Sequence, residues 1–189
     1  LLLMSQDGVF NDLAVEASIN RETYCGSVVA GDFDNDMDVD LFMVCGLRTS
    51  NLDNILYLND GKGNFELVPG AGGATSGTYG PQFFEFGSGQ RVAMSDYDRD
   101  GFLDIYVSST HFTSATQAVM GVPPHLYRNL GNENHWFELD LEGRVSNRDG
   151  IGARVVVETQ DGIRQVRERS GGMHQWSQNS ARLHFGLGA

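Results

Sequence analysis

Asp32-Phe33-Asp34-Asn35-Asp36-Met37-Asp38-Val39-Asp40 and Asp96-Tyr97-Asp98-Arg99-Asp100-Gly101-Phe102-Leu103-Asp104 are the two stretches from which the rest of the chain is read. Each places an aspartate at every second residue, except that Phe102 holds the seventh place of the second stretch. Short β-favouring runs enter and leave both: residues 27–30 and 41–44 around the first, residues 91–94 and 105–107 around the second. The two copies stand 64 residues apart, Asp32 to Asp96.

A second repeated feature is Leu56-Tyr57-Leu58-Asn59-Asp60-Gly61-Lys62-Gly63-Asn64-Phe65, a hairpin with Asp60-Gly61 as its turn signal. Residues 2–10 are a weaker copy, and Leu126-Tyr127-Arg128-Asn129-Leu130-Gly131 begins a third. This reading sets each hairpin upstream of an aspartate stretch. Units of 55 to 64 residues built from four short strands predict an all-β fold of propeller-type blades. About two blades are present, so the ring is incomplete. Helical periodicity is absent; the strongest helix candidate, around residues 13–19, is short.

Alternate residues of a tight loop can turn their oxygens inward. Numbering from the first aspartate, Asp32, Asp34, Asp36, Asp38 and Asp40 fill places 1, 3, 5, 7 and 9. Asp96, Asp98, Asp100, Phe102 and Asp104 fill the same places, with place 7 offering its backbone carbonyl. Six or more hard oxygen ligands suit Ca²⁺, whereas Mg²⁺ keeps its waters and zinc or copper would want His or Cys. Two Ca²⁺ sites are therefore expected. Neither is an EF-hand, since place 12 is Met43 or Val107 and strands flank the loop. Two carboxylates about 5 Å apart repel by roughly 3 kcal/mol at an effective dielectric of about 20. Four or five in one loop oppose folding unless a cation sits among them; the alternative is a pair of solvated acidic turns.

Asp-x-Asp-x-Asp-x-x-x-Asp between strands, with the Leu-Tyr-x-Asn-x-Gly-x-Gly-x-Phe-like hairpin, resembles the FG-GAP/VCBS repeats of calcium-binding β-propellers, also seen in integrin α-subunits. The resemblance covers residues 1–131 and implies the same ligands, Asp38 and Phe102 serving by carbonyl. Met37 stands where the family usually has glycine, and Gly101 keeps the pattern.

Residues 132–189 read as a separate small β domain. Phe137, Leu139 and Leu141 alternate on one strand, Asp161-Gly162 turns a hairpin between residues 153–159 and 163–168, and residues 181–185 form a last strand. Gly143, Ser146-Asn147-Arg148-Asp149-Gly150-Ile151-Gly152-Ala153, Gln165, Arg167-Glu168, Ser177-Gln178 and Leu183-His184-Phe185-Gly186-Leu187-Gly188 resemble the ASPIC/UnbV domain. That domain follows FG-GAP repeats in bacterial secreted proteins and in cartilage acidic protein; the resemblance brings architecture and location, with no catalytic residue to carry over.

Charge supports the division. Residues 1–120 hold 17 acids against 5 bases, and residues 121–189 hold 8 of each. A net charge of −12 over 189 residues argues against nucleic acid or an anionic membrane as partner. No apolar run reaches the roughly 18 residues of a membrane span. Leu1-Leu2-Leu3-Met4 is too short for a signal-peptide core, so the chain reads as a mature or excised segment that begins mid-structure.

Cys25 and Cys45 bracket the first aspartate stretch almost symmetrically, so a hairpin folded there sets them opposite each other. A disulfide is expected, with two free buried thiols as the alternative. A bridge would indicate an oxidising compartment, in keeping with extracellular calcium and a secreted or cell-surface location.

Other candidates are weaker. Gly150-Ile151-Gly152 lacks a following helix for phosphate binding, Gly87-Ser88-Gly89 lacks the glycine placement of a nucleophile elbow, and His135 and His184 read as strand residues. Glu85 sits between Phe84 and Phe86, and Trp136, Trp176 and Tyr79 could form a surface for glycans. The reading taken forward is a non-enzymatic calcium-binding structural or adhesion protein. Copies of itself or further blades of a longer chain would complete the open ring as a ring or filament. A carbohydrate-binding module and a polysaccharide-active enzyme stand as alternatives.

Overall fold

The computed structural model describes residues 3–6, 8–20, 25–45, 53–75, 87–112, 119–121, 124–172 and 177–189. Among them the fold is all-β. Strands β1 (Leu3–Gln6) and β2 (Val9–Asp12) pair with each other as a hairpin. The short helix candidate at residues 13–19 is a turn, held by Ala17 N–H to Leu13 O and Ile19 N–H to Ala14 O. No helix among the described residues is long and apolar enough to cross a membrane.

Strands β3 (Cys25–Gly31), β4 (Asp40–Cys45), β5 (Ile55–Asn59) and β6 (Phe65–Val68) form an antiparallel meander in chain order. β7 (Gly87–Ser95) pairs with β8 (Asp104–Phe112), whose other edge takes β9 (Val119–Gly121) and β10 (His125–Tyr127). The registers Gly31↔Asp40 and Ser95↔Asp104 make each aspartate stretch the connection of a β-hairpin. One feature differs from the sequence reading. The Leu56–Phe65 hairpin closes the sheet before it, through Leu41↔Tyr57, and Ile105↔Tyr127 likewise puts β10 in the second sheet. The reason is local: antiparallel neighbours need only a short connection, and Leu126 therefore ends the second unit.

The period-2 alternation that names the strands also builds the core. Val29, Phe42 and Val44 from the first sheet meet Val92, Ile105 and Val107 from the second, with Phe33 and Leu103 dropping in from the two loops. Cys45, Ile55 and Tyr57 occupy the opposite face of the first sheet, against Ile19, Leu41, Met43 and Phe65. The first sheet thus carries apolar residues on both faces, with Val28 and Ala30 left exposed on the second.

In the C-terminal part, β11 (His135–Leu139) pairs with β14 (Leu183–Gly188), and β12 (Arg154–Glu158) with β13 (Arg164–Glu168). Gln165 Nε2–H donates to Gly186 O at 2.7 Å and joins the two pairs. Residues 177–180 run beside β7: Ser177 Oγ–H donates to Val92 O, Met94 N–H to Asn179 Oδ1, and Ser180 N–H to Met94 O. The outer edge of β7 is therefore taken up by the chain itself, which removes one open strand edge.

Cys25 and Cys45 are bonded as a disulfide across β3 and β4, at the mouth of the hairpin that carries the first aspartate stretch. A bridge spanning 20 residues removes about 3 kcal/mol of loop entropy from the unfolded chain. Replacing both cysteines by serine should lower the unfolding free energy by about that amount in urea titrations.

Candidate metal centre

Both loops are coiled by left-handed residues at the same places. Asn35 (φ 61°) and Met37 (φ 85°) in the first match Arg99 (φ 63°) and Gly101 (φ 91°) in the second. The bends turn backbone amides back onto the first aspartate: Met37 N–H donates to Asp32 Oδ2 at 3.1 Å, and Gly101 N–H to Asp96 Oδ2 at 2.9 Å. The ninth place repeats even more closely. Asp40 accepts Phe33 N–H at 2.8 Å on one oxygen and Asn59 N–H at 2.9 Å on the other. Asp104 accepts Tyr97 N–H at 3.0 Å and Asn129 N–H at 2.8 Å in the same manner.

Places 1, 3 and 9 converge. Ligand oxygens of Asp32, Asp34 and Asp40 lie within 4.8 Å of one another, and those of Asp96, Asp98 and Asp104 do the same. The remaining candidates are engaged differently. Asp36 Oδ1 accepts Asp38 N–H at 2.9 Å, and Asp100 Oδ1 accepts Phe102 N–H at 3.1 Å, so place 5 braces the turn into place 7. The Asp38 carboxylate lies over Gly61, where a Cβ would stand 2.5 Å from Oδ2. Phe102 is buried with its ring against Gly131.

Burial leaves the first cluster electrostatically unsatisfied. Asp32 and Asp40 are at most 1% exposed. Desolvation raises Asp32 from 3.8 to about 7, helped by the charge of Asp36, and raises Asp40 to about 8 against the pull of its two amides. Asp34 and Asp38 are raised by burial and then by Asp36, and Asp104 is raised by burial. Asp32 Oδ1 and Asn35 Oδ1 are buried with no hydrogen-bond partner. Three converging carboxylates with an orphaned buried oxygen form an all-oxygen donor set, which suits a hard cation such as Ca²⁺.

The second loop carries a counter-charge of its own. Arg128 pairs with Asp98 at 2.5 Å and Asp100 at 3.0 Å, and the corresponding residue of the first unit is Leu58. The second cluster is also the more exposed at its middle aspartate.

Sequence reasoning missed the clamp around these loops. Asn129 Nδ2–H donates to Phe33 O, and Asn132 and Asn134 both donate to Asp34 O. Asn35 Nδ2–H donates to Gly101 O at 2.9 Å, so the two loops are hydrogen-bonded to each other. His184 Nε2–H reaches that same carbonyl at 3.0 Å. From β14, Gly186 N–H donates to Asp32 Oδ2 at 3.2 Å and Gly188 N–H to Asn35 O at 2.8 Å. The run Asn129, Asn132, Asn134 was the available signal for part of this. Trp136 lies across Gly101, where a Cβ would fall 1.8 Å from its indole nitrogen, so it covers the second loop. Trp176, Tyr79 and Glu85 lie outside the described residues.

Residues 143–189 match the family model described as ASPIC and UnbV. No curated protein matches the chain.

Gly186→Ala should destabilise the fold by about 1–3 kcal/mol, because its Cβ would meet Asp32 Oδ2 at 2.2 Å and Asn35 Cα at 2.6 Å. Thermal or urea unfolding measures it. The raised carboxyls also set a pH dependence. In chelator the folded state keeps protons on Asp32 and Asp40 up to pH of about 7 and about 8, while the unfolded chain releases them near 3.8. The folded state then binds more protons, so stability should fall as pH rises from 4 to 8. Bound calcium displaces those protons, so the stabilisation it adds should grow through the same window. Urea midpoints at pH 5 and 8.5, with chelator and with millimolar calcium, test both signs.

Proposed function

We propose that this chain is a calcium-stabilised, non-enzymatic module of FG-GAP/VCBS type, working outside the cell in adhesion or assembly. The observation that carries the reading is the Asp32 carboxylate, buried beside Asp34 and Asp40 with one oxygen unpartnered. Leaving such a group charged and unpaired is costly, and a divalent cation offsets the burial and the mutual repulsion together. The convergence of three carboxylates repeats at Asp96, Asp98 and Asp104, which makes it a property of the unit rather than of one turn.

Two further features support the setting. The Cys25–Cys45 disulfide belongs to oxidising compartments, and sites of modest affinity suit millimolar extracellular calcium. The role in assembly is argued from charge. A chain of net −12 repels its own copies, and cations held in two loops lower that repulsion while stiffening the surface that carries them.

Calorimetric titration should give two calcium equivalents, falling to one in Asp32→Asn/Asp40→Asn and to one in Asp96→Asn/Asp104→Asn. Light scattering in millimolar calcium should report a large species that dissociates on chelation. A monomer in both conditions would remove self-assembly from the reading and leave calcium in a purely structural role.

A further inference from the structure

A cavity of about 450 Å³ lies between the β13–β14 region and the two sheets. Its wall includes the apolar side chains of Val39, Met94, Leu103 and Leu183 together with Arg167 and Arg169. Arg167 is half-buried. It donates to Val166 O and Gln165 Oε1, each at 3.2 Å, and its guanidinium stands 5.3 Å over the Phe185 ring. Arg169 donates to Asp149 O and Ser170 O, each at 3.1 Å. Every one of these acceptors is neutral.

Among the described residues neither arginine makes an ion pair, in a chain with 25 acids and 13 bases. The other charged groups of the wall are committed elsewhere. Glu168 pairs with Arg154, Arg182 pairs with Glu138 and Asp140, and Asp32 belongs to the first carboxylate cluster. Asp32, on the same wall, is the acid whose charge Arg167 feels; once a metal takes that charge, the cavity's uncommitted charge is two guanidinium groups. A partly desolvated guanidinium with donors to spare matches a carboxylate in a two-pronged fashion. The volume falls within the range of small-molecule sites, and apolar walls select a ligand with an apolar body.

We propose that this cavity binds a small organic carboxylate with an apolar body, its carboxylate held by Arg167 and Arg169. The proposal rests on the calcium reading in one respect, that Asp32 is neutralised.

The test is calorimetry of 4-phenylbutyrate with the full chain in saturating calcium, after calcium uptake has been measured in the same buffer. The neutral 4-phenylbutanamide and acetate serve as matched probes. Phenylbutyrate should bind, and both matched probes should bind at least tenfold more weakly. Arg167→Met, which keeps the packing on Phe185, should weaken phenylbutyrate at least tenfold while the chain still takes up two calcium equivalents. Where that variant does not fold, Arg167→Lys replaces it, and a several-fold loss is expected from the lost fork geometry. Equal binding of the amide or of acetate, equally tight competition by inorganic phosphate, or an unaltered affinity in the variant overturns the proposal. So does a calcium-loaded chain that takes up no phenylbutyrate, whereas a chain that takes up no calcium overturns the metal reading instead.

Discussion

A carboxylate shut away from water accepts two backbone amides from distant parts of the chain, and the molecule builds this arrangement twice. Asp40 joins Phe33, at the start of its loop, to Asn59, at the end of β5; Asp104 joins Tyr97 to Asn129. Each aspartate therefore fixes a hairpin connection and the third strand of its sheet through one side chain. The amides return part of the desolvation cost, and the remaining imbalance is what a cation would relieve. Sheet geometry and donor set are thus two consequences of one buried group.

The C-terminal part is mechanically continuous with these loops despite the change of charge near residue 120. Gly101 O receives both Asn35, from the first loop, and His184, from β14. Residues 177–180 occupy the free edge of β7, and β14 lays its amides on Asp32 and Asn35. The residues that match the ASPIC and UnbV family model include this strand, so in this chain that unit acts as a brace for the carboxylate clusters.

Much of this was legible in the residues because it is local. Alternating apolar runs gave the strands, Asp60-Gly61 and Asp161-Gly162 gave hairpins, and the spacing of aspartates gave two matching loops. The positions of Cys25 and Cys45 about the first loop pointed to the bond that the structure contains. What was not legible depends on distance along the chain or on choice among equivalent donors. Nothing in Asp36 or Asp100 distinguishes a brace from a converging ligand oxygen, since the difference lies in which amide the loop's coil brings near. Arg128 is one arginine among many until β10 sets it beside Asp98. The sheet to which the Leu56–Phe65 hairpin belongs is settled by strand pairing, and periodicity carries no information about pairing.

The bond from Gly186 to Asp32 spans 154 residues, and that length has a temporal meaning. Synthesis at roughly 5–20 residues per second leaves the first loop without its brace for about 8–30 s after it has emerged. Throughout that interval β14 does not yet exist, and Asp32 has only the nearby amide of Met37, solvent or a cation to turn to. Contacts this far apart also make folding slow, because loop closure precedes their reward. An ion bound at that stage would hold the shape of a docking surface for a strand still to be made. The order of events during synthesis, and not only the final energy, would then depend on what the surrounding medium contains.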